Sequence, residues 1–154
     1  MKRPKQLIIE AADSGKDSTA GYTQRYSVII DGKRIWLQQS IFRYMAMLAW
    51  ARVNLAHTDY DGWIHREGID PYDPNAVRYL HRLKTAVALD IETSWPVFET
   101  NRQGMYRLDV APSNITFNTK NILAIPDHRL AEMFESMVGT DVVNCRCTMS
   151  GNNR

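Results

Sequence analysis

Between Ser40 and Asn54 the chain reads SIFRYMAMLAWARVN, a long helical run with Ser40 as its expected cap. At about 100° per residue, Ile41, Met45, Leu48 and Ala49 form one apolar stripe, while Ala46, Met47 and Trp50 fall elsewhere around the cylinder. Only Arg43 and Arg52 break that surface, and they lie on different sides. A helix apolar on nearly every side has to be covered from more than one direction. The rest of the chain must supply that cover.

At 154 residues, 44% of them hydrophobic, the chain suits one domain, with or without an extension. Ahead of the apolar helix, Tyr26, Val28 and Ile30 alternate, Asp31-Gly32 supplies a tight turn, and Ile35, Trp36 and Leu37 resume β-type residues, which predicts a hairpin over 22–37. Residues 1–20 are polar around Asp13 to Ser18 and read as a flexible leader whose Leu7-Ile8-Ile9 can add an edge strand. After the helix, His65 to Ile69 can make one or two helical turns before Pro71 and Pro74 re-aim the chain.

The next helix, Asn75 to Leu89, is amphipathic. Tyr79, Leu80, Leu83 and Val87 gather on one side with Val77 at the margin, and Arg78, Arg82 and Thr85 gather opposite with His81 beside them. Pro74 fits a helix start, where a missing N–H costs nothing, and Asp73 can cap the first free N–H groups. No acidic residue intervenes before Asp90, so the outer face is cationic. Such a helix can enter a major groove, where arginine forks match guanine edges and phosphates. A second hairpin follows: Val97 to Thr100 and Met105 to Leu108 as strands, Asn101 to Gly104 as the turn, with Arg102 at its tip and Arg107 on the returning strand.

Hairpin, long helix, short helix, basic helix and closing hairpin, in that order, resemble a winged helix-turn-helix, more specifically the C-terminal DNA-binding domain of OmpR/PhoB-type transcriptional regulators. Leu37 to Leu48 is similar to that family's opening helix, and Ile64 to Ile69 to its short second helix. Val77, Leu80, Leu83, Lys84 and Val87 follow its recognition helix, and Gly104-Met105-Tyr106-Arg107-Leu108 its wing. The likeness covers Arg25 to about Asp109. It implies an α+β fold of β-hairpin, three helices and wing hairpin, with a C-terminal strand and helix extension. By position it also makes Asn75, Arg78, His81, Arg82 and Thr85 the groove-facing set, joined by Arg102 and Gln103 at the wing tip. The function so implied is sequence-specific binding of double-stranded DNA as a transcriptional regulator. A winged-helix module for protein contacts is the alternative, favoured by the near-neutral charge: Lys plus Arg total 19 against 17 Asp plus Glu.

The domain expected from these patterns spans 21–110, followed by an extension over 111–138. In that extension Ile115, Phe117, Ile122, Leu123 and Ile125 suggest a hairpin, and Pro126-Asp127 opens a helix. There Leu130, Met133, Phe134, Met137 and Val138 make a stripe that needs a partner, either the helix containing Trp50 or a second copy of the chain as a homodimer. Disorder is expected over 139–154. His57, Asp59, Asp61 and His65 lie close in sequence but without helical spacing, and Cys145 and Cys147 have no second pair, so no metal or other cofactor is expected. No nucleophile elbow or phosphate loop occurs, which argues against an enzyme. With two cysteines and no apolar run near the roughly 20 residues of a membrane span, a reducing cytoplasmic setting is the simplest expectation.

Overall fold

In a computed structural model, which describes residues 3–14, 24–69, 75–91 and 95–146 with side chains as far as Met137, the first sheet grows from the Asp31-Gly32 turn. Both turn residues have left-handed backbones, φ 48° and 85°. That sense of turn matches the natural twist of the two strands it joins. β2 (Arg25–Ile30) thereby pairs with β3 (Lys33–Gln38), Val28 opposite Ile35 and Tyr26 opposite Leu37. The Asp31 carboxylate also accepts the N–H groups of Lys5 (2.7 Å) and Gln6 (2.9 Å), fastening the segment that leads into β1 (Leu7–Ile9).

That segment corrects the reading of residues 1–20 as a leader with an edge strand. β1 lies inside the sheet, antiparallel to β2 on one side and parallel to β7 (Ile115–Phe117) on the other, in the order β3-β2-β1-β7. Leu7 and Ile9 are completely buried. Asp13 bridges to Tyr26; residues 15–23 lie outside the described residues.

α1 (Gln39–Asn54) follows β3 directly. Its N-cap is Gln38, with no side-chain cap bond, so Ser40 lies within the helix and is not its cap. Phe42, Tyr44, Met45, Ala46, Met47, Leu48 and Ala49 are at most 1% exposed, the all-round burial its composition demands. α3 (Ala76–Ile91) packs against it, and β2, β3, β6 (Met105–Leu108) and the 3-10 turn at Pro112–Asn114 also contact it.

A second sheet joins β4 (Ile64–His65), β6 and β5 (Phe98–Thr100) in the order β4-β6-β5, with α2 (Arg66–Ile69) between β4 and α3. His65, assigned from sequence to the short helix, is thus in a strand, paired with Met105. β5 starts at Phe98 because Val97 has a left-handed backbone, φ 73°, a conformation a branched side chain rarely adopts and a ladder cannot use. The expected cap Asp73 and the helix-start residue Pro74 lie outside the described residues.

The chain divides into two units, Met1–Asn118 and Thr119–Arg154, so β7 belongs with the first and the expected boundary at 110 moves to 118. In the second, α4 (Thr119–Leu123) replaces the expected hairpin, since a short apolar run such as Ile122-Leu123 fits either period. α5 (His128–Arg146) runs past Gly139, where disorder had been expected to begin. Asp127 caps it, its Oδ1 accepting from the N–H groups of Arg129 (3.0 Å) and Leu130 (3.2 Å). α4 packs on α5, and Leu130 and Phe134 of the stripe are fully buried while Met133 and Met137 are half-buried.

One polar cluster ties β1 to the hairpin. The Glu10 carboxylate accepts from Arg34 Nε (2.7 Å) and Nη2 (2.9 Å) and from the buried Ser27 hydroxyl (2.7 Å), while the Ser27 oxygen accepts the N–H of Ala12 (2.9 Å). Arg34 first, then Ser27, holds the Glu10 carboxyl below its usual value. A depressed carboxyl stabilises the fold above the ordinary carboxylate range, and the contribution disappears as pH falls through the lowered value. Glu10→Gln is therefore expected to lower the melting temperature by a few degrees near pH 7, with the gap to wild type closing as pH falls below the ordinary carboxylate range, in circular-dichroism melts.

Candidate nucleic-acid interface

α3 turns its apolar residues inward and its cations out because the two sets recur at helical spacing. Ala76, Leu80, Leu83 and Val87 are buried. Asn75, just ahead of the helix, and Arg78, His81, Arg82 and Thr85 on it are all exposed. Five of the seven residues picked out from sequence thus share one surface. Tyr79, assigned to the apolar side, is only half-buried: its ring stacks on Tyr44 at 5.4 Å and 17°, and the Arg82 guanidinium lies 5.6 Å above it. Val77, at the expected margin, is 51% exposed.

The guanidinium groups on this face differ in freedom. Arg82 is partly oriented by Tyr79, while Arg78 meets no carboxylate among the described residues. The Thr85 hydroxyl donates to the His81 carbonyl (3.1 Å), which leaves its oxygen free only to accept. Lys84, also exposed, is a cation that the sequence reading left out of the set. Its Nζ lies 5.4 Å over the Phe98 ring, so it marks the side of α3 next to β5.

Arg102 and Gln103 are exposed on the turn between β5 and β6. Asn101 Oδ1 shapes that turn, accepting from the N–H groups of Gln103 (2.8 Å) and Met105 (3.1 Å), and Gly104 supplies the left-handed backbone it needs, φ 75°. Arg107, the other arginine of this hairpin, is built into the fold. Its Nε donates to Glu99 (2.8 Å), its Nη1 to Asp61 (3.0 Å), and its guanidinium stacks 4.6 Å from the Trp63 ring. Glu99 above all raises its pKa from the ordinary arginine value. Nearby, burial and then the Arg107 charge lower that of Arg52, whose Nε donates to the Val110 carbonyl (3.0 Å). Gly62 closes this corner: φ is 82°, and a Cβ there would lie 2.9 Å from Arg52 Nη1.

Of the loop once weighed for metal binding, Asp61 is thus engaged by Arg107, and His65 Nδ1 accepts the N–H of Glu67 (3.1 Å). Among the described residues no group of three or more His, Cys, Asp or Glu side chains is arranged to hold a metal ion, and no helix is long and apolar enough to cross a membrane. The side chains of Cys145 and Cys147 lie outside the described residues. No protein-family model matches the chain, and neither a curated protein nor a solved structure does.

Proposed function

We propose that this chain binds double-stranded DNA, with α3 in the major groove and the turn between β5 and β6 serving as the wing of a winged helix-turn-helix, as a sequence-specific transcriptional regulator. The observation that carries the reading is the outer face of α3, where Arg78, His81, Arg82 and Thr85 are exposed together over a well-packed inner face. The element order supports it as well: a short helix ahead of α3, then a hairpin whose sheet also takes in the strand before that short helix. In such a docking the helix reads base edges and the wing contacts the backbone. With a formal net charge of only +2, attraction to a polyanion has to come from these local groups.

Selection from a pool of random duplexes, followed by anisotropy titrations at several salt concentrations, tests this. A preferred site should emerge, and log K should fall with log salt by about 0.9 per phosphate neutralised. No duplex bound even at low salt would overturn the proposal.

A further inference from the structure

Where the C-terminal half of α3 faces the outer strand of the first sheet, an open groove of about 290 Å³ is lined by Arg25, Trp36, Ile41, Arg82, Leu89 and Asp90, among others. Two of its residues are conspicuous as surface: Trp36 is 37% exposed and Leu89 is 74% exposed, and with Ile41 they make apolar walls. Neither of its two arginines, Arg25 and Arg82, has a carboxylate partner among the described residues. Asp90 is the one acidic residue of the lining.

We infer that this groove binds a small aromatic monocarboxylate. A flat apolar body fits against the indole and the aliphatic wall, in a space at the lower end of small-molecule sites. A carboxylate matches the guanidinium fork in two parallel hydrogen bonds. The lining carries two arginines against one aspartate, and Lys33 Nζ donates to the Asp90 backbone carbonyl (2.6 Å), so this end of the groove favours an anion. The exposed Trp36 and the aliphatic wall favour one that carries a flat apolar body. The site does not depend on the DNA reading, although Arg82 belongs to both surfaces.

The test is calorimetric titration of the full chain with 2-naphthoate, alongside the neutral 2-naphthamide. One-to-one binding of the acid and at least tenfold weaker binding of the amide are expected, because the amide forfeits the charge-assisted bonds. Arg25→Ala should weaken 2-naphthoate by about tenfold with little change in melting temperature, since the Arg25 side chain is exposed and has no ion pair among the described residues. Trp36→Ala should abolish binding, and Arg25→Ala remains decisive if that variant is unstable. Single variants also separate this site from the DNA face. Arg78→Ala keeps 2-naphthoate binding, Arg25→Ala keeps duplex binding, and Arg82→Ala weakens both. The inference is overturned if the amide binds as well as the acid, if Arg25→Ala binds the acid like wild type, or if the acid does not bind at all.

Discussion

Leu83→Ala is expected to lower the unfolding free energy by about 2 to 5 kcal/mol, the range for emptying a fully buried leucine site. Leu83 has no exposed surface and sits on the inner side of α3, the helix that packs against α1, α2 and β3. α1 is itself buried nearly all round, so little slack is available for the surroundings to close on the void. Urea melts give the result directly: a lower midpoint with an unchanged slope means a destabilised but intact fold. An unchanged midpoint would mean that α3 is not seated as described.

The opposite side of the same helix should behave in the opposite way. Arg78→Ala combined with Arg82→Ala is expected to remove DNA binding while leaving a folded protein. The stability loss should be roughly 0.5 to 1 kcal/mol, from the cation–π contact between Arg82 and Tyr79. If the arginines grip guanine, each truncation costs about 1 to 3 kcal/mol of affinity and relaxes preference at one base pair. If they grip phosphate, all sequences weaken alike and the log–log salt slope falls by about 0.9 for each. Anisotropy on selected and scrambled duplexes, with melts alongside, distinguishes the cases. A double variant that binds DNA as wild type does would transfer the function to protein contacts.

Local chemistry made much of this architecture readable from the residues. Asp31-Gly32 between alternating strands, the turn ending in Gly104, the stripe of Leu80, Leu83 and Val87, and the Asp127 cap all act within a few positions of themselves. What escaped was set by distant partners. Nothing near Leu7-Ile8-Ile9 signals that the strand is paired on both sides, because its parallel neighbour lies more than a hundred residues away. Ile122-Leu123 looked like a strand because so short an apolar run carries no period. Arg107 stood as a second cation of the hairpin until Asp61 and Trp63, from a loop over forty residues earlier, closed around it. The groove was invisible for the same reason: Arg25 and Trp36 meet Arg82 only through tertiary packing. One clue was present, in that strand alternation turns Trp36 away from the face of Ile35 and Leu37.

The parallel pairing of β1 with β7 also fixes when the first unit can be complete. A ribosome releases Leu7 early and Phe117 late, so the earliest strand has to wait for its last partner while the β2–β3 hairpin and the helices assemble in between. Closing so long a loop is slow but adds little thermodynamic burden, since the entropy grows only with the logarithm of its length. A fragment cut at 21–110, the limits that hydrophobic pattern alone suggests, would lack both strands. It would leave the inner edge of β2 open, and an open edge invites pairing with other chains.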